Sequence, residues 1–199
     1  MTFEAQPNIQ MPEGEWSWAG AVTLDTTANP SLVVASESEV RIAGGATLKF
    51  PSGKRESVPA FEPLPYGVLP MDLNYDFKTD FVLAGHGGLK MYVQENQNKF
   101  TEVTSRAGLS PSTITSGFSG GAKSFDFDLD GDLDIVLLPT EGTPVVLRNN
   151  GDGTFKELNP FPSVLRPRDF IAADIDADGD ADLAFVTDGV LKVFTNERL

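Results

Sequence analysis

Short runs of consecutive apolar residues recur along the chain, each entered through a polar stretch. They read Leu32-Val33-Val34-Ala35, Phe81-Val82-Leu83-Ala84, Ile135-Val136-Leu137-Leu138 and Leu183-Ala184-Phe185-Val186. An uninterrupted apolar run of this length predicts a strand covered on both faces. A second apolar stretch follows two of them and leads into a turn. Leu89-Lys90-Met91-Tyr92-Val93 precedes Asn96-Gln97-Asn98-Lys99-Phe100, and Val145-Val146-Leu147-Arg148 precedes Asn150-Gly151-Asp152-Gly153-Thr154-Phe155. Asn-Gly and Asp-Gly steps between apolar runs are strong hairpin signals. No long stretch has a helical period.

The polar stretches before the strands are as regular as the strands. Asp126, Asp128, Asp130, Asp132 and Asp134 occupy alternate positions, and Asp174, Asp176, Asp178, Asp180 and Asp182 repeat the pattern. Asp72, Asn74, Asp76, Lys78 and Asp80 form a third version with fewer carboxylates. Counted from its first residue, position 9 of the loop falls at 80, 134 and 182, steps of 54 and 48 residues. A worn copy lies at the N-terminal side. There the loop 23–31 keeps only Asp25 as a carboxylate and contains Pro30, so no metal is expected; Val40-Arg41-Ile42, Gly44-Gly45 and Phe50 match the following hairpin. Phe50, Phe100 and Phe155 hold equivalent places and are expected in the core.

Each unit therefore reads as strand, acidic loop, apolar strand, third strand, hairpin and fourth strand. Four short antiparallel strands at a period of about 40–50 residues predict the blade of a β-propeller. The fold class expected is all-β, a propeller or a section of one with about four blades, over residues 21–60, 61–110, 111–160 and 161–199. The last copy breaks off before its hairpin turn and fourth strand. Residues 1–20 form an N-terminal extension, with an edge strand as one reading. Trp16 and Trp18 in it either pack there or line an interaction surface. Pro-rich stretches at 58–70 and 160–167 are expected to connect blades.

Composition narrows the chemistry. The 199 residues include 15 basic and 29 acidic side chains, a net charge of −14, and no cysteine. That charge argues against nucleic acid, which needs clustered Lys and Arg. Disulfides, thiolate catalysis and cysteine-held zinc are excluded. No apolar run approaches a membrane span, and the first ten residues lack the features of a signal peptide. Ten of the acidic residues sit in the two full loops, hard against apolar strands, where like charges repel strongly. A hard cation resolves the conflict. Calcium takes six to eight oxygens, and carboxylates at positions 1, 3 and 5 with glycine at position 6 (Gly131, Gly179) suit it. Position 7 (Asp132, Asp180) would offer its backbone carbonyl, and position 9 (Asp134, Asp182) would close the loop. Magnesium prefers a smaller octahedral shell and suits these loops less well.

These motifs resemble the FG-GAP and VCBS family of calcium-binding repeats, found also in integrin α-subunit propellers. The resemblance covers about residues 21–199. It rests on Asp126-x-Asp128-x-Asp130-Gly131-x-x-Asp134, its counterpart from Asp174 to Asp182, and the Asn150-Gly151-Asp152-Gly153-Thr154-Phe155 turn. It implies that the acidic loops join the first and second strands of their blades. It also implies a non-enzymatic module of an exported protein, placed outside the cell, on its surface or in the periplasm, and engaged in adhesion or in binding a protein or glycan. Further repeats or domains of a parent chain are implied as well, since four repeats are fewer than such propellers usually have. In the other reading, residues 1–20 complete the last blade. The third loop departs from the pattern. Phe77 stands where the family has glycine, and a bulky residue is poorly suited to a positive-φ turn. Asp72, Asn74, Asp76, Lys78 and Asp80 are thus expected to bind weakly or to follow another path.

The alternative function is an accessory or catalytic propeller of a polysaccharide-degrading enzyme. Gly117-Phe118-Ser119-Gly120-Gly121 matches a nucleophile elbow literally, but that elbow needs a strand before it and a helix after. An inter-blade turn is expected instead. The only histidine, His86, precedes Ser119, against the Ser–Asp–His order of such enzymes, and is expected in an exposed turn. No carboxylate pair outside the loops stands out for glycoside cleavage.

Overall fold

The computed structural model describes residues 13–25, 29–36, 38–51, 66–96 and 99–197. Among these residues fifteen strands form four antiparallel sheets, each a simple meander in chain order. The first sheet is β1 (Trp18–Val22), β2 (Ser31–Ala35), β3 (Glu39–Ile42) and β4 (Thr47–Lys49). The second is β5 (Val68–Met71), β6 (Asp80–Gly85), β7 (Gly88–Asn96) and β8 (Lys99–Glu102). The third is β9 (Gly121–Phe125), β10 (Asp134–Leu138), β11 (Val145–Asn149) and β12 (Phe155–Leu158). The fourth has three strands, β13 (Asp169–Ala173), β14 (Asp182–Val186) and β15 (Leu191–Phe194).

The four apolar runs of the sequence are the second strands of these sheets, and in the two inner sheets the packing explains why they are uninterrupted. In β6, Phe81 and Leu83 face the first sheet while Val82 and Ala84 face the third. In β10, Ile135 and Leu137 face the second sheet while Val136 and Leu138 face the fourth. Successive side chains of a strand point to opposite faces, so a sheet covered on both sides needs apolar residues at every position. Each of these side chains is fully buried, a contribution of roughly 1.5–3 kcal/mol for each large one. Three apolar layers thus alternate with four sheets, as in neighbouring propeller blades. β9 lies against β5 and β6, and the backbones meet closely: Ala122 donates to the Tyr66 carbonyl at 2.8 Å. Gly121, at φ 73°, has no room for a side chain, because a Cβ would lie 2.1 Å from that same oxygen.

The two ends of the stack differ. On the first sheet, Glu39 accepts from Arg41 at 2.6 Å and from Lys49 at 3.1 Å, and the Arg41 guanidinium lies over the Trp16 ring. The last sheet instead leaves Ile171, Val186, Leu191 and Val193 exposed.

Several expectations shift. Trp18 begins β1 and pairs with Ala35, so the first sheet starts before residue 21 and its own first strand uses residues 18–20; they do not complete the last blade. Residues 1–12 of the extension lie outside the described residues, as do 58–65 of the first Pro-rich link and the turn residues 97–98. Pro70 is inside β5, opposite Phe81; this is an edge strand, where a missing N–H is tolerated. The 160–167 segment does connect sheets, and its Phe161 and Val164 are buried between them. Phe50 and Phe155 are buried, and Phe100 packs partly buried against Phe81. Among the described residues a 3₁₀ turn (Thr104–Arg106) and a short α-helix, α1 (Pro111–Thr115), interrupt the strands; the Ser110 cap of α1 accepts from the Thr113 amide, a start signal visible in Ser110-Pro111. Among the described residues no helix is long and apolar enough to cross a membrane.

Candidate metal centre

All three polar loops join the first and second strands of their sheets, and they share one backbone path. Position 4 is left-handed in each (Tyr75 φ 58°, Leu129 φ 57°, Ala177 φ 64°), and so is position 6 (Phe77 φ 63°, Gly131 φ 96°, Gly179 φ 98°). Phe77 therefore does not divert its loop, contrary to one of the two expectations for it. A left-handed non-glycine residue costs about 1–2 kcal/mol, and Phe77 is 79 % exposed, so it recovers little by packing. Phe77→Gly is expected to raise stability by about 0.5–1 kcal/mol after the entropy of glycine is deducted. A urea-melt midpoint at or below that of the parent would refute this.

Local hydrogen bonds hold the path. The position 1 carboxylate accepts from amides across the turn: Asp72 from Asn74, Asp76 and Phe77, Asp126 from Gly131, and Asp174 from Asp178 and Gly179. The position 5 carboxylate accepts from the position 7 amide in all three loops, at 3.0–3.1 Å.

Position 9 does something else. Asp80, Asp134 and Asp182 are fully buried. One oxygen of each accepts the position 2 amide (Leu73, Phe127, Ile175) at 2.8–2.9 Å. The other accepts an amide from the third strand or just beyond it (Gln94, Asn149, Asn196) at 2.7–2.8 Å. Each carboxylate thus ties its loop to the third strand of its own sheet. Burial pushes the Asp80 carboxyl up to about 6 and raises that of Asp134, in both cases against the pull of these amides. In Asp182 the amides of Asn196 and Ile175 prevail and hold it below the usual range. The same bonds with opposite outcomes reflect the surroundings: among the described residues no further sheet lies over the fourth.

Positions 1, 3 and 5 converge. In the third sheet's loop Asp126, Asp128 and Asp130 each bring an oxygen within 4.8 Å of the others, and Asp174, Asp176 and Asp178 do so in the fourth. Unit charges at that separation repel by about 3–4 kcal/mol per pair at an effective dielectric near 20. Loss of hydration and the negative Asp178 and Asp182 hold the Asp176 carboxyl above its ordinary range. Asp126 Oδ1 is buried and has no hydrogen-bond partner. A carboxylate oxygen left so, facing two more carboxylates, is open to a cation or a water. Arg148 approaches the other side of this loop, 3.4 Å from Asp128. Asp132 and Asp134, and likewise Asp180 and Asp182, stand outside the converging groups.

Sequence reasoning missed Tyr75. From position 4 of the second sheet's loop it reaches the third sheet's loop, where its hydroxyl accepts the Leu133 amide at 2.9 Å and donates to Asp132. Burial and the Asp132 carboxylate push its phenol up to about 12. Tyr75→Phe is expected to cost about 1 kcal/mol and to speed hydrogen exchange at Leu133 while leaving Leu183 unchanged. Equal exchange at Leu133 in both proteins would show the bridge to be idle.

The residues of the rival reading are arranged unlike a catalytic elbow. Ser119 follows α1 and precedes β9, the reverse of the strand–turn–helix order. His86 does lie in a turn, between β6 and β7, but half-buried rather than exposed.

Residues 126–197 match the family model described as an FG-GAP-like repeat. The matched span runs from the third sheet's acidic loop through the whole fourth sheet and includes both carboxylate triads. No curated protein matches the chain.

Proposed function

We propose, for a chain whose residues 126–197 match the FG-GAP-like repeat model, a non-enzymatic, calcium-binding propeller module of an exported or cell-surface protein. Asp126, Asp128 and Asp130 would hold one calcium ion and Asp174, Asp176 and Asp178 a second, with backbone carbonyls of the same loops completing each shell. The observation that carries the reading is the partnerless, buried Asp126 Oδ1 within a triad of carboxylates. Bound calcium supplies positive charge where three negative groups meet. The chain's own contribution is to hold those groups at fixed places, through the position 1 and position 5 hydrogen bonds, on hairpins tied to the sheets by position 9. No residue is given a catalytic role.

Extracellular calcium modules bind with Kd near 10⁻⁴–10⁻³ M, which suits a compartment rich in the ion. The surroundings would be further repeats or domains of a parent chain, and the partner a protein or glycan. Calorimetric titration to millimolar calcium tests the metal; heat of binding is expected, and its absence at that concentration ends the proposal. Glycan and protein arrays probed with the calcium-loaded module test the partner. Silence on both would leave a spacer and remove adhesion from the reading.

A further inference from the structure

The second sheet's loop follows the same path as the two acidic loops but differs from them in charge. It holds three carboxylates and one ammonium, a net −2, where each of the others carries five carboxylates. Position 3 is the neutral Asn74 and position 7 is Lys78, in the place of Asp132 and Asp180. The Lys78 side chain turns back on its own loop. Its Nζ donates to Asp76 Oδ2 at 2.7 Å, and its backbone amide donates to Asp76 Oδ1 at 3.1 Å, so position 5 has both oxygens engaged. At position 1, Asp72 has both oxygens engaged as well, by the amides of Asn74, Asp76 and Phe77. Asp174 is engaged in the same way, by the amides of Asp178 and Gly179, whereas Asp126 Oδ1 meets no donor, so position 1 alone does not set this loop apart. What sets the loop apart is position 5, where the second carboxylate oxygen is taken by an ammonium from within the chain.

We propose that Lys78 is a built-in replacement for the metal ion: its ammonium lies against Asp76 where a cation would otherwise be held, and the loop keeps its shape without metal. The inference rests on the reading that the two acidic loops bind calcium, and it subtracts the third site from that reading. Asp72, Asn74, Asp76 and Asp80 then serve as hydrogen-bond acceptors for the turn. Coulomb attraction accounts for the choice. Asp72 and Asp80 add to the hold of Asp76 on the ammonium, keeping Lys78 above its ordinary range, and a tethered cation needs no ion from solution. A divalent ion entering the same loop would have to displace the ammonium and then face it across a few ångströms. Lys78 is a positioning residue here, and the loop it fixes carries Tyr75 to its neighbour whether or not calcium is present.

The experiment is a calcium count with a hydrogen-exchange map of the whole chain. Native mass spectrometry and calorimetry should find two calcium ions per chain in the parent and three in Lys78→Asp, the added ion being lost again when Asp76→Asn is combined with it. Should Lys78→Asp not fold, Lys78→Gln removes the charge at nearly constant size and should also admit a third ion. In chelator, the Asp76 and Phe77 amides should already exchange slowly, whereas Gly131 and Gly179 should slow only on adding calcium. Three ions in the parent, two in the folded Lys78 variant, or calcium-dependent protection at Phe77 would overturn the proposal. Zero ions in every protein would defeat the calcium reading itself, a result distinct from all of these.

Discussion

Asp134→Ala is expected to lower the free energy of unfolding by about 3–5 kcal/mol, equally in calcium and in chelator. The carboxylate is fully buried and accepts two backbone amides, Phe127 at 2.9 Å and Asn149 at 2.7 Å. Hydrogen bonds to a charged acceptor contribute about 1.5–3 kcal/mol each, and an amide left buried without one costs about 1–3 kcal/mol. Asp134→Asn keeps one acceptor and points an N–H₂ group at the second amide, so about half of the loss should remain. Asp182→Ala should cost less than Asp134→Ala, because a single apolar layer covers its sheet. Urea unfolding of each variant, with calcium and with chelator, reads the difference directly. If Asp134→Ala were harmless in chelator and harmful only in calcium, position 9 would be a metal ligand first and a structural tie second.

Calcium itself should stabilise the parent, and in two separable parts. Binding to the native state alone adds about 1.4 kcal/mol per site at ten times Kd and about 2.7 kcal/mol at a hundred times. For a chain of this length two sites then raise the melting temperature by about 5–20 °C. Asp130→Ala and Asp178→Ala should each remove the share of their own loop and leave the other in place. In chelator both variants should melt at or above the parent temperature, since one of three crowded like charges has been taken away. Scanning calorimetry in millimolar calcium and in chelator provides the check. A single substitution that abolished the whole calcium shift would mean that the two loops act as one site.

What the sequence disclosed, and what it withheld, follows from the range of the interactions. The strands were legible because a sheet buried on both faces demands an apolar residue at every step, and Phe81 to Ala84 or Ile135 to Leu138 can be little else. The loops were legible because aspartates at alternate positions, with a turn at position 6, bring three carboxylates together. Position 9 was not, for by residue type Asp134 resembles Asp126 and Asp130. Its distinct duty depends on the Asn149 amide, which the third strand delivers from 15 residues away. Tyr75 was hidden for the same reason, since its partners Asp132 and Leu133 belong to another sheet, 58 residues along the chain for Leu133. Phe77 shows the opposite error. Its dislike of positive φ is real, but three amides gathered on Asp72 outweigh it and hold the turn.

The separation between position 9 and positions 1, 3 and 5 has a consequence for how such a molecule changes over generations. A unit whose architecture depends on one deep aspartate is free to vary at its rim. Where the rim carboxylates hold calcium as proposed, substitution there would change ion affinity in one unit while its neighbours keep theirs. Within a single polypeptide, two loops with five aspartates apiece and one bearing a lysine keep one backbone path.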